Sequence, residues 1–253
     1  MRLVTGDFRP QLTLRTYEER QLDPSAGTDF SSLDGIYEAV DSYCQDASAF
    51  AWLTRNHRGD ATFWAEYRPR LQLSVLTERS RVIGDNISLY LSSFDLEHLE
   101  RQDHIFLRSS ILRHKGATLI LKMLPLPEKP DNAPDTDEIS QFEDFIQAAV
   151  TLRDIIVGLS TEPQLGDNSN VDLAVVPSLY VTGSSCRDER LRKQILGLAM
   201  DWPQREHLWD GPALRHMLDV NGIRSNGAGD AMTVTDPGSG LLKLPDSLPG
   251  LLF

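Results

Sequence analysis

Val175 to Asp210 reads VVPSLYVTGSSCRDERLRKQILGLAMDWPQREHLWD, and its pattern sets the class of the whole chain. A proline-started apolar segment (Val175, Val176, Pro177, Leu179, Tyr180, Val181) runs to Ser185 and Cys186. A charged turn, Arg187-Asp188-Glu189-Arg190, separates it from a second amphipathic run carrying Leu191, Ile195, Leu198 and Ala199. The stretch closes on Trp202-Pro203 and on Arg205-Glu206-His207-Leu208-Trp209-Asp210. Pro177 suits the first turn of a helix, where its missing N–H is no loss. Asp188 can accept hydrogen bonds from the free amides that begin the next helix. The spacing predicts two short helices followed by a tryptophan-bearing turn.

Working outward, the same three- and four-residue periodicity recurs upstream. A helix is expected from about Asp29 to Arg55, with Leu33, Ile36, Tyr37, Val40, Cys44, Ala47 and Phe50 on one stripe. Asn56 to Asp60 breaks it. Phe63, Trp64, Tyr67, Leu71 and Leu73 resume an apolar pattern that Pro69 should kink or end. Gly84-Asp85-Asn86 is a turn signal, after which Ile87 to about Leu96 is helical again. A longer helix, about Glu97 to Leu124, has Leu107, Ile111, His114, Thr118 and Leu121 on one side. Ile105, Leu112, Leu119 and Met123 widen its apolar face, which places it at the centre of its domain. Pro125 to Asp137 reads as a solvated acidic loop. A helix from about Glu138 to Leu159 follows, with Asp135 and Glu138 as a loose capping box. Beyond the opening stretch, a last helix runs from about Pro212 to Ile223.

The organisation predicted is therefore an irregular arm over 1–28, one all-helical domain over 29–224 and a Gly/Pro-rich tail over 225–253. Strand-type alternation is nowhere sustained, so the class is all-α, a single irregular multi-helix domain. With 253 residues there is enough chain for a sizeable core, and a composition 40% hydrophobic and 25% charged is ordinary for a soluble protein. The net charge of −12 repels phosphate backbones and argues against direct contact with nucleic acid. Two distant cysteines, Cys44 and Cys186, fit a reducing compartment better than a disulfide scaffold. The first residues are too polar for a signal peptide, and no run approaches the roughly 20 apolar residues of a membrane span. The expectation is an intracellular protein, cytoplasmic or nuclear.

The order PSLY, then CRDERLR, then QREHLWD resembles the closing segment of the regulatory domain of fungal zinc binuclear cluster transcription factors. In that family a proline-led helix precedes a Cys-Arg-Asp turn, and an Arg-Arg-Glu-Gly-Leu-Trp-Asp-type motif follows. Pro177, Tyr180, Cys186, Arg187, Asp188, Arg192, Arg205, Glu206, Leu208, Trp209 and Asp210 sit on the pattern. Gln204 stands where arginine is common, and His207 where glycine is common. From about Ser31 to Leu159 the likeness is only a general helical one. The resemblance implies an all-helical effector domain. The family's DNA-reading module needs six thiolates, and this chain has two cysteines.

Motifs that carry chemistry are few. A GxSxG elbow, a phosphate-cradling glycine loop and an HExxH zinc motif are missing. Asp34, Glu38 and Asp41 share one helix face and could hold a divalent cation, but a solvated face explains them. His114 reads as a hydrogen-bonded core histidine or a buried base. In the Trp202 to Trp209 segment, two indoles bracket Arg205, Glu206 and His207. Glu206 can orient His207 as a general acid or base, while Arg205, Trp202 and Trp209, with Tyr180 and Trp64, are candidates to line a ligand pocket. Trp52, Tyr67 and Tyr90 are further candidates. The alternative for Arg205, Glu206 and Trp209 is structural: helix capping and plugging of the core.

The leading expectation is a free-standing helical domain that binds a hydrophobic small molecule, of the fungal secondary-metabolite class, in a regulatory or sensing role. Its partners would be that molecule and a second copy of the chain or a related transcription factor. No cofactor or metal is expected. The alternative is a cofactor-independent cyclase, isomerase or pericyclase using the same pocket. Folding a flexible substrate removes an entropic barrier of up to roughly 7–11 kcal/mol. A third reading makes the chain the C-terminal half of an ordinary transcription factor.

Overall fold

The computed structural model describes residues 30–93, 99–126, 135–160 and 173–203, and two short strands at 223–224 and 233–234. Helix α1, Leu33–Thr54, starts at Ser32, whose extended backbone and hydroxyl cap the Gly35 amide at 3.1 Å. Its buried stripe is Ile36, Ala39, Val40, Tyr43, Cys44, Ala47 and Phe50. The expected break follows as a 3-10 turn at Arg55–His57 and Gly59 at φ 72°, a left-handed conformation that glycine adopts cheaply. Asp60 then caps the short helix α2, Ala61–Ala65, accepting from the Thr62 and Phe63 amides.

The next segment differs from expectation. Helix α3 runs unbroken through Tyr67–Ser93, past both Pro69 and Gly84-Asp85-Asn86. Pro69 lies in the first turn, where no intrahelical bond needs its nitrogen. Asn86 Nδ2 donates to the Val82 carbonyl and Ser88 Oγ to that of Gly84, so these residues bond along the helix instead of turning it. Arg81 bridges Glu78 and Asp85 across the same exposed face. A Cβ at Gly84 would lie 3.4 Å from His114 Cε1, an ordinary contact distance, so α3 packs directly against the next long helix here.

That helix is α4, Arg101–Met123, and it is central as its sequence predicts. Leu107, Ala117 and Leu121 join α1 and α3 in one apolar cluster. Leu112, Leu119 and Met123, turned to the opposite side at about 100° per residue, join a second cluster. The second cluster is completed by α5 (Thr136–Ser160), α6 (Val175–Ser185) and α7 (Glu189–Met200). Phe142, Phe145, Leu152, Leu179, Leu191 and Ile195 are each fully buried there. Each such side chain contributes about 1.5–3 kcal/mol relative to exposure. At the start of α5 only half of the capping box forms: Asp135 accepts the Glu138 amide at 2.6 Å, but the Glu138 carboxylate is taken by Arg187.

Pro177 and Asp188 hold the positions their chemistry predicts. Pro177 lies in the first turn of α6, and Asp188 Oδ1 accepts the Leu191 amide at 2.8 Å. The expected last helix lies outside the described residues except for its final residue, Ile223, which with Arg224 pairs antiparallel with Thr233–Val234 of the expected tail. The branched side chains of Ile223, Thr233 and Val234 favour extended backbone, and a ladder this short leaves the class all-α. Among the described residues no helix is long and apolar enough to cross a membrane.

Candidate functional site

Three polar assemblies are built into this apolar frame. The first is the corner between α6 and α7. Cys186 ends α6 with its amide on the Gly183 carbonyl at 3.1 Å. Arg192 reaches back one turn and gives Nε and a terminal nitrogen to the Cys186 carbonyl at 2.9 and 2.6 Å. Arg187 forms a two-pronged ion pair with Glu138 of α5, both side chains nearly buried, and this bond raises the arginine's pKa. From the turn that follows α1, Arg58 donates to the Ser185 carbonyl at 2.9 Å. Burial pushes the Cys186 and Cys44 thiols up to about 12, so neither is a ready nucleophile. Trp202, 8% exposed, closes the cluster just past α7, and its buried indole Nε1 has no hydrogen-bond partner among the described residues. Tyr180 is 1% exposed in the same cluster.

The second assembly joins α3 to α4. His114 Nε2 lies 3.0 Å from the Ser80 carbonyl and 3.1 Å from Ser80 Oγ. A carbonyl oxygen only accepts, so Nε2 carries the proton and gives it to that carbonyl. Ser80 Oγ then donates to Thr118 Oγ1 at 2.6 Å, and Thr118 donates to the His114 carbonyl at 2.8 Å. Tyr43 Oη, 3.4 Å from Thr118, attaches α1 to the chain. Burial lowers the His114 pKa to about 4. The serine beside the imidazole is therefore part of a closed hydrogen-bond clasp, since the nitrogen facing it has no free lone pair to take its proton. Of the two readings of His114, this geometry favours the core histidine.

The third assembly lies where α1, α4 and α6 meet. Arg113, 2% exposed, pairs with Asp41 at 2.5 Å and lies 5.8 Å from the Tyr37 ring. Asp41 also accepts from Gln45 at 2.8 Å, while Asp34 and Glu38 are exposed. The acidic face of α1 thus splits into one structural carboxylate and two solvated ones, and no group of three metal-binding side chains occurs among the described residues. A cavity of about 10 Å³ beside Arg113 is lined by Cys44, Ser48, Ala117, Ile120 and Ser178. The helices cross closely there: a Cβ at Gly116 would be 2.7 Å from both Ser178 Oγ and Thr182 Oγ1.

The aromatic candidates do not share one wall. Tyr180 and Trp202 belong to the α4–α7 cluster, whereas Trp64 packs with Phe50 and Phe63 on the α1–α3 side and donates Nε1 to the His57 carbonyl. Tyr90 is buried, Tyr67 is exposed, and Trp52 lies on the surface beneath Arg55. Arg205, Glu206, His207 and Trp209 lie outside the described residues, and with them the whole catalytic reading. Reasoning from sequence did not single out Arg113 or its pairing with Asp41. The available signal was a cation at the edge of an otherwise apolar face, next to Ser109, Ser110 and Gly116. Compared with protein-family models, curated proteins and solved structures, the chain matches none.

Proposed function

We propose that this chain is a regulatory, transcription-factor-like helical domain that senses an apolar small molecule carrying a hydrogen-bond acceptor. The observation that carries the reading is the Trp202 indole, held in the α4–α7 cluster with its N–H buried and unpaired. Buried polar groups are nearly always paired, and one donor at the end of an apolar wall is what fixes a greasy ligand's orientation. Tyr180 belongs to the same wall; Trp64 does not. The residues that carry the family resemblance, Cys186, Arg187, Asp188 and Arg192, brace the start of α7, the helix that leads to Trp202. Secondary metabolites with aromatic ketone or carboxylic acid groups have the required chemistry.

The test is a titration of the protein with aromatic ketones and carboxylic acids, read by tryptophan emission and thermal stability. A true ligand at 100 times its Kd adds about 2.7 kcal/mol of stability. Trp202→Phe keeps the ring and removes the donor, which should weaken binding by roughly 2- to 12-fold, the worth of one neutral hydrogen bond. Equal affinity in the variant would refute the role assigned to Trp202. No stabilisation by any compound would refute the sensing function.

A further inference from the structure

A guanidinium presents five N–H donors in a fixed fork. Arg113 gives one to Asp41, while its buried Nε has no acceptor among the described residues. Ser110 Oγ on the same helix and Thr182 Oγ1 on α6 are likewise buried without partners. Leaving such a donor unsatisfied costs roughly 1–3 kcal/mol, more when it is charged. Of these groups Arg113 alone lines a cavity, so its Nε–H is the donor that a guest there would satisfy.

The cavity that Arg113 lines is about 10 Å³. One water needs roughly 10–15 Å³ of such space and two to four polar partners. The size excludes any metabolite and admits one water-sized occupant. Charge decides its nature. The arginine's charge is already met by Asp41, and the chain as a whole carries −12, so nothing at the site outbids water for a halide ion.

We propose that Arg113, Ser48 and Ser178 hold one ordered water at the junction of α1, α4 and α6. The water accepts from Arg113 Nε–H and donates to the two serine hydroxyl oxygens. One molecule thereby links helices that belong to both apolar clusters. Arg113, Ser178, Cys44, Ala117 and Ile120 are buried and Ser48 is half-buried, so the site is recessed but not sealed from solvent. The site is independent of any ligand at Trp202.

Two measurements test this. A high-resolution crystal structure should show a single density peak within about 3.2 Å of Arg113 Nε. The same peak should be missing from a crystal structure of Ala117→Val, whose two added methyl groups occupy the cavity. A peak retained in the variant, or a cavity closed by side chains, overturns the proposal. An anomalous peak at the site in a bromide-soaked crystal overturns it in favour of an anion. Should Ala117→Val fail to fold, the wild-type crystal decides alone.

Discussion

Replacing Gly116 by alanine adds one methyl group where α4 crosses α6. By helix propensity alone the change should help, since alanine is favoured over glycine by about 1 kcal/mol in a helix interior. The crossing opposes it. The new Cβ would lie 2.7 Å from Ser178 Oγ and from Thr182 Oγ1, and 3.2 Å from Phe145 Cε2, where ordinary contact begins at 3.4 Å. Two neighbours must therefore retreat by about 0.7 Å. Overpacking of this kind costs about 1–3 kcal/mol. With contacts on three sides the upper half of that range applies, leaving a net loss of about 1–2 kcal/mol after the propensity gain. In a domain of this size the melting temperature should fall by about 2–8 °C. Gly158→Ala is the internal control, because nothing lies within 4 Å of its Cβ position. It should raise the melting temperature by about 2–4 °C. Thermal unfolding followed by circular dichroism reads both. Ser178→Ala combined with Gly116→Ala should recover part of the loss. A Gly116→Ala protein as stabilised as Gly158→Ala would refute the close crossing.

Two further perturbations probe the other assemblies. His114 is held neutral, with a folded pKa of about 4 against 6.5 for the free side chain, so the unfolded chain binds its proton first. Stability is therefore undiminished above pH 6.5 and falls as the pH drops towards 4, by up to about 3 kcal/mol in total. Urea unfolding of wild type and His114→Gln across that range should show a shallower pH slope in the variant; parallel profiles would sink the assignment. Glu138→Ala strands the nearly buried Arg187 charge and should cost about 3 kcal/mol, while the double change Glu138→Leu, Arg187→Met should cost less than either single change. A double variant as unstable as the sum of the singles would show that the two charges are not coupled.

How much of this could be read in the residues varies from element to element. The two-sided character of α4 was legible because Leu107, Ile111 and Leu121 and, separately, Ile105, Leu112, Leu119 and Met123 each keep helical spacing on one chain. The caps at Asp188 and Asp135 were legible because capping is a local event. Helix α3 was not. Pro69 and Gly84-Asp85-Asn86 are breakers by propensity, and side-chain bonds along the helix together with contact against His114 override them. The polar assemblies were hidden for another reason. Asp41 and Arg113 are 72 residues apart, and Ser80 and His114 are 34 apart, so their partnership exists only once α1, α3 and α4 are docked. Asp41 by itself is indistinguishable from its solvated neighbours Asp34 and Glu38.

Because α4 is a party wall, the two interiors on either side of it cannot melt independently. Removing α1 and α3 would leave Leu107, Ala117 and Leu121 facing water, and removing α5 to α7 would do the same to Leu112, Leu119 and Met123. Either half alone would be a helix pack with one greasy flank. Cooperativity in this chain thus comes from a single shared element, and cutting the molecule on either side of α4 produces two fragments of which neither is a domain.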